Sequence, residues 1–247
     1  MSIFTRDGLD FLARYGHVIS GITWIGLLYY FNFVQTPAFA AFEAGPRNEA
    51  FSKLVPRALW WFRYGALLTL LFGLSIIVLT KDMRGDYWKS AAGLSISTGI
   101  VYAVVMFANV WGVIWPNQKI VIANARNVLA GNEADPAAAS AARKGACASR
   151  TNTLLSIPML FFMVATSHFI AFASDKGKPF FDTSSAGHRV IYYVIALAIV
   201  IVAETIALRA PAVGKPEAWY IDNHRNTIIL GFVITAVLYV VWEILFG

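Results

Sequence analysis

The sequence is almost free of cysteine, and this scarcity excludes several kinds of site. Cys147 is the one cysteine among the 247 residues. A single thiol cannot form an internal disulfide, and it rules out zinc or iron–sulfur centres that are ligated by cysteines alone. The C-x-x-C-H motif of covalently attached c-type haem is also missing. Any redox group that this chain holds is therefore expected to be bound non-covalently.

Charged residues are scarce as well, and the motifs of several enzyme classes are missing. Only 14% of the residues are charged, whereas 58% are hydrophobic, which is typical of a membrane protein. The formal charge of +6 needs no nucleic-acid partner, because basic residues at loop edges are common in membrane proteins. The sequence has no glycine-rich nucleotide loop, no Ser-His-Asp arrangement and no His-Glu-x-x-His zinc motif.

The apolar residues fall into long stretches, which predict an all-α integral membrane protein with membrane lipids as its surroundings. A transmembrane helix needs roughly 20 largely apolar residues. About six stretches in one domain, residues 1–247, meet this requirement: 10–35, 58–80, 89–115, 151–173, 188–209 and 226–246. Eight of the 20 lysines and arginines lie on the side of the termini and the other twelve on the opposite side. The positive-inside rule then places both termini outside the cytoplasm, in the periplasm of a bacterium.

The connection between the third and fourth spans, residues 116–150, predicts an interfacial helical hairpin. Residues 117–130 carry apolar positions suited to a helix that lies near the membrane interface, and Gly131 ends it. Asp135 is a candidate N-cap before Pro136, and an alanine-rich run then leads to the fourth span.

Three of the four histidines are expected at the membrane face that holds the termini. His17 lies early in the first span, His168 late in the fourth, and His188 opens the fifth. Ionisable residues at membrane depth are often functional, and imidazole is a common ligand of metals and haem iron. These histidines are candidate metal ligands, and a b-type haem between His17 and His168 could approach Gly21 and pack against Trp24. Alternatively, the histidines bond neighbouring helices, His188 caps its helix and the glycines allow close packing.

A second polar group is expected at the opposite face. Glu204 is the acid of the fifth span and needs a partner, for which Arg150, Arg225 and His224 are the candidates. Two interpretations remain open. One is a network of ion pairs that fixes helix ends. The other is a pocket for an anion or polar heterocycle, built from arginine and amide donors, with Asn152 and Asn117 as further binding residues.

Three sequence blocks resemble a known family. The first span contains His-x6-Trp-x-Gly-x2-Tyr-Tyr-Phe-Asn-Phe-Val-Gln-x-Pro from His17 to Pro37. Residues 54–63 read Leu-Val-Pro-Arg-Ala-Leu-Trp-Trp-Phe-Arg, and residues 150–158 read Arg-Thr-Asn-Thr-Leu-Leu-Ser-Ile-Pro. Together they are similar to the urate oxidase N-terminal domain family, the membrane-bound bacterial urate hydroxylases. The first pattern also resembles small membrane proteins of the protoporphyrinogen oxidase type, whose first-span histidine is a haem ligand.

The resemblance implies a redox protein of purine metabolism in the bacterial inner membrane. Urate-oxidising members of the family carry a C-terminal cytochrome c domain that these residues do not contain, so electron transfer to a separate cytochrome c is expected. On this interpretation Glu204, His224 and Arg225 are catalytic, while Arg150, Asn152 and Asn117 bind the substrate. The alternative is a non-catalytic transmembrane subunit of a larger respiratory or photosynthetic complex. A transporter is a third possibility, although the sequence shows no inverted repeat.

Overall fold

The fold is all-helical, which confirms the predicted class. The computed structural model describes residues 3–81, 83–168 and 181–247. These residues form the following eight helices: α1 (Arg6–Ala41), α2 (Ala44–Lys53), α3 (Val55–Leu79), α4 (Ala91–Leu129), α5 (Ala138–His168), α6 (Ala186–Arg209), α7 (Trp219–Asp222) and α8 (His224–Phe246). Short stretches of 3-10 helix precede α4 and α7.

Small polar residues begin four of the long helices. Each uses its side-chain oxygen to accept a hydrogen bond from a main-chain N–H of the first turn, which satisfies a donor that the helix itself leaves unpaired. These N-caps are Thr5 for α1, Ser90 for α4, Ser185 for α6 and Asn223 for α8.

Six long helices correspond to the six predicted spans, and successive ones run in opposite directions. They are α1, α3, α4, α5, α6 and α8. The start of α1 meets the end of α3, where Arg6 Nε donates to the Leu79 carbonyl at 2.8 Å. The α4 and α5 helices are antiparallel, since Ser95 Oγ donates to the Phe162 carbonyl at 2.7 Å near one end of the pair and Asn109 contacts Asn152 at 2.9 Å further along. This arrangement is the one expected for a chain that crosses a membrane repeatedly.

Five of these helices, rather than six, are long and apolar enough to span a membrane within the described residues. They are α1, α3, α4, α6 and α8, and they indicate a multi-pass membrane protein. The α5 helix is not among them, but the predicted fourth span at 151–173 continues into residues 169–173, which lie outside the described ranges, so that span stays a prediction. The part of α5 that begins the predicted span lies at the centre of the bundle. Every residue from Arg150 to Ser156 is buried, and a helix that is surrounded on all sides can carry polar residues in contact with its neighbours.

The helical hairpin at residues 116–150 exists, but its two arms continue the spans and are not separate interfacial helices. The α4 helix runs for 39 residues, or about 58 Å, which exceeds the ~30 Å hydrocarbon layer. Its C-terminal part packs against α2 and against the first turns of α5. Gly131, with φ of 82°, ends the arm as expected, and Asp135 Oδ1 accepts from the Ala137 N–H at 2.8 Å.

Candidate functional site

The buried turn of α5 places a positive charge inside the bundle. Arg150 is only 7% exposed, and its Nη1 donates to the Asn32 carbonyl of α1 at 3.2 Å. No ion pair within residues 3–81, 83–168 and 181–247 includes Arg150. Its charge acts on the imidazole of His224, whose ring centroid lies 6.1 Å from that of Phe33. The Asp222 carboxylate acts on this charge from beyond ion-pair distance. A buried guanidinium with no carboxylate in direct contact is suited to an anionic ligand.

A second cluster lies between α4, α5 and α6. Asn109 Nδ2 donates to Asn152 Oδ1 at 2.9 Å and to Glu204 Oε1 at 2.8 Å. Asn152 is fully buried, and its own Nδ2 donates to the Met106 carbonyl at 2.9 Å. The amide of Asn109 therefore joins three helices through one side chain.

The predicted single pocket is in fact two clusters on different faces of α5. Residues two apart on a helix point about 200° away from each other, so Arg150 and Asn152 face different neighbours. Arg150 faces α1 and the start of α8, whereas Asn152 faces α4 and, through Asn109, reaches Glu204. The prediction that Glu204 pairs with Arg150, Arg225 or His224 was wrong: its hydrogen-bond partner is an amide.

Two π-helical segments adjoin these clusters. The first, Tyr30–Gln35 in α1, contains Asn32, whose Nδ2 donates to Ser149 Oγ of α5 at 2.8 Å. The second, Val110–Ile114 in α4, begins directly after Asn109. π-helical segments are rare overall, but many of those that occur lie at functional sites. The widened turn changes where the side chains point. Here each one lies where its helix contacts the polar turn of α5.

The other two residues predicted for this site lie at its margin. Asn117 is half-buried, and its Nδ2 donates to the Val113 carbonyl of its own helix at 2.8 Å. Arg225 is exposed, and its main-chain N–H donates to Asn223 Oδ1. Within the described ranges, neither side chain forms a hydrogen bond or ion pair with Arg150 or Glu204, so their predicted roles stay predictions.

The three histidines each bond a different main-chain carbonyl. The Nδ1 atoms of His17, His168 and His188 contact the carbonyls of Thr69, Val164 and Leu245 at 2.8, 3.1 and 2.8 Å. A carbonyl only accepts, so Nδ1 carries the proton and Nε2 keeps its lone pair. Across the described part of the chain, no three His, Cys, Asp or Glu side chains are grouped so that they could hold a metal ion. The three histidines therefore do not assemble the metal site that their positions predicted.

The described side chains also do not fit a haem held between His17 and His168. His17 packs against α3, where a Cβ added to Gly73 would lie 3.2 Å from its Cε1 atom. Gly21 and Trp24 face the same helix: Thr69 is the nearest side chain to Gly21, and Trp24 is 2% exposed. In contrast, His168 is exposed and lines an apolar groove of about 850 Å³ between α5 and α8. The chemistry of His168 fits a single ligand to a flat apolar group in that groove, whereas His17 fits a bond between helices.

Ion pairing on the side opposite the termini involves residues outside the predicted set. Arg143 Nη2 contacts Asp222 Oδ1 at 2.8 Å, and Arg143 Nε donates to the Pro211 carbonyl at 2.8 Å. This pair fixes α5 to α7, as the structural interpretation of the polar residues required. Next to it, Cys147 is fully buried, and burial raises the pKa of its thiol.

Sequence reasoning missed Asn109, Asn32 and Ser149 as residues of the polar clusters. Asn109 carried a usable signal, because a lone asparagine within an apolar span must find a hydrogen-bonding partner. Asn32 stood within the first sequence block, but its contact with α5 depends on the π segment, which the sequence did not predict.

Comparison with known proteins supports the resemblance over part of the chain. Residues 87–181 match the family model described as urate oxidase N-terminal. The match contains α4 and α5 and therefore Asn109, Asn117, Arg150, Asn152 and His168. Neither the curated proteins nor the solved structures gave a match to this chain.

Proposed function

We propose that this protein is a membrane oxidoreductase that binds and oxidises a planar anionic heterocycle such as urate. The observation that carries the proposal is Arg150, a buried guanidinium with no carboxylate partner in the described ranges. Its location within the segment that matches the urate oxidase N-terminal family supports this substrate class.

The chemistry of the Arg150 cluster suits this role. A guanidinium donates two parallel hydrogen bonds to a carboxylate-like edge, which fixes both the position and the plane of a flat anion. The low dielectric of a buried site strengthens that interaction. His224, next to Arg150, is the candidate to accept a proton as the ring is oxidised, and Phe33 beside it offers an aromatic surface.

Glu204 has a different role in this proposal. It is separated from Arg150 by α5 and is linked to that helix through Asn109 and Asn152. We assign it as a positioning residue, because these bonds fix the turn that carries Arg150. The catalytic role predicted for Glu204 from the sequence therefore stays a prediction.

The electrons would leave through a separate acceptor, for which a cytochrome c is the proposed partner. Of the histidines, His168 is the candidate ligand for a b-type haem, because it opens onto the apolar groove and keeps Nε2 free. A haem there would supply a one-electron relay. His17 is not assigned to it.

The first experiment measures urate binding and a reduced-minus-oxidised visible spectrum of the detergent-purified protein. Substituting Arg150→Gln should weaken urate binding at least tenfold. The Arg150→Lys variant should keep only part of the wild-type affinity, because lysine cannot donate two parallel hydrogen bonds. Lys144→Gln, an exposed charge change on the same helix as Arg150, is the matched control. The His168→Ala variant should lose any haem signal.

The alternative is a non-catalytic membrane subunit, and it is favoured by the use of all three histidines in main-chain hydrogen bonds. Wild-type protein that binds no urate and shows a featureless spectrum would refute the redox proposal. Equal urate affinity in the Arg150→Gln and Lys144→Gln variants would instead refute the assigned site.

A further inference from the structure

A cluster of cations and aromatic rings lies between α3 and α4, separate from the Arg150 cluster. The Arg63 guanidinium stacks on Trp115, with its Cζ atom 3.4 Å from the ring centroid, and lies 5.6 Å from the Trp111 ring. Lys119 Nζ lies 5.7 Å from the Trp115 ring centroid. We call Arg63, Trp111, Trp115 and Lys119 the interface cluster.

The second π segment builds this cluster. Val110–Ile114 is the widened turn of α4, and Trp111 and Trp115 lie within it and directly after it. Both rings thereby meet the same guanidinium on α3. Stacking on tryptophan holds the plane of the guanidinium and leaves its N–H edge available.

The hydrogen-bond donors of the interface cluster exceed its acceptors. Arg63 Nε donates to the Leu59 carbonyl at 3.1 Å, which leaves the two terminal nitrogens for another acceptor. The indole Nε1 of Trp111 is buried and has no hydrogen-bond partner among the described residues, so it stays inside the cluster. Neither Arg63 nor Lys119 takes part in an ion pair within the described ranges. Two positive charges without a carboxylate partner call for an anionic acceptor.

The depth of the interface cluster indicates where that acceptor comes from. Trp115 lies about 36 Å along α4 from Ala91, beyond the ~30 Å hydrocarbon layer and therefore at headgroup level. The cluster is on the side opposite the termini, which the distribution of basic residues assigns to the cytoplasm. Anionic lipids give the cytoplasmic leaflet its negative surface potential.

We infer that the interface cluster is a binding site for the phosphate of an anionic phospholipid headgroup. The terminal nitrogens of Arg63 bind two phosphate oxygens, Trp111 and Trp115 hold the guanidinium in place, and Lys119 adds the second charge. An ordinary aromatic belt would position the helices at the interface without distinguishing lipid charge. Selectivity for anionic over zwitterionic lipid therefore separates the two explanations.

The test measures the apparent Kd of the full chain for phosphatidylglycerol, phosphatidylcholine and inorganic phosphate by native mass spectrometry in detergent. Substituting Arg63→Gln should raise the phosphatidylglycerol Kd about tenfold, which corresponds to about 1.4 kcal/mol. Arg126→Gln, an exposed charge change on α4 outside the cluster, should stay within about twofold of wild type. Trp111→Phe replaces one indole beside the guanidinium with a smaller ring, and we expect a loss of about threefold because Arg63 is held less firmly.

Three results would overturn the inference. The first is an equal phosphatidylglycerol affinity in the Arg63→Gln and Arg126→Gln variants. The second is equal binding of phosphatidylcholine and phosphatidylglycerol by wild-type protein, and the third is binding of inorganic phosphate as tight as that of the lipid. If Arg63→Gln does not fold, Trp111→Phe and Lys119→Gln decide the question by the same comparison.

Discussion

The Asn109→Ala substitution should destabilise the bundle more than the removal of an exposed hydrogen-bonding side chain does. The Nδ2 atom of Asn109 donates to Asn152 and to Glu204, so one substitution removes two bonds and leaves two acceptors within the bundle unpaired. A hydrogen bond to a carboxylate contributes roughly 1.5–3 kcal/mol in proteins, and a neutral bond inside a membrane contributes about 0.6 kcal/mol. The expected loss in free energy of unfolding is therefore about 2–4 kcal/mol.

The assay is reversible unfolding by SDS in mixed micelles, followed by far-UV circular dichroism. Thr205→Ala is the matched control: it removes a hydroxyl that is exposed and bonded only within its own helix, and it should change stability by less than about 0.5 kcal/mol. A double-mutant cycle with Glu204→Gln should give a coupling of about 1–2 kcal/mol. If Asn109→Ala is no more destabilising than Thr205→Ala, the three-helix role of Asn109 is refuted.

Three further predictions test other contacts. Substituting Gly231→Ala should cost about 1–3 kcal/mol, because its Cβ would lie 2.5 Å from Ile157 Cδ1, whereas Gly26→Ala, with no atom within 4 Å, should be neutral or slightly stabilising by thermal melting. Cys147 should react with maleimide at least tenfold more slowly in folded than in SDS-unfolded protein, because burial raises its pKa and blocks access; equal rates would contradict its burial. His17→Ala should lower stability by about 1 kcal/mol and leave any haem spectrum unchanged, and loss of such a spectrum would restore His17 as a ligand.

Hydropathy and helix signals were sufficient to predict the architecture, because lipid-facing helices must be apolar over a fixed length. The all-helical class and the end of the α4 arm near Gly131 followed from local rules. The fourth predicted span stays a prediction, because it continues into residues 169–173 outside the described ranges. Its first part is buried at residues 150–156 and carries polar residues there.

Several residues of the candidate site could be predicted from the sequence, but their arrangement in space could not. Arg150, Asn152 and Glu204 were identified because polar groups at membrane depth are rare. Their division between two faces of α5 depends on the rotation of that helix, and the position of Asn32 depends on a π segment. The partner of Glu204 was missed because charge complementarity favoured an arginine, whereas packing placed an amide there.

The central position of residues 150–156 in α5 explains why the arrangement of the site was hard to predict, and it also supports the proposed function. A buried arginine and asparagine cannot face lipid, so they require a helix that neighbours enclose on every side. In this bundle α5 meets that condition, and the family match at 87–181 includes it together with α4, its antiparallel neighbour. The buried polar turn at residues 150–156 of α5 is therefore the feature on which the proposed binding of an anion by Arg150 depends.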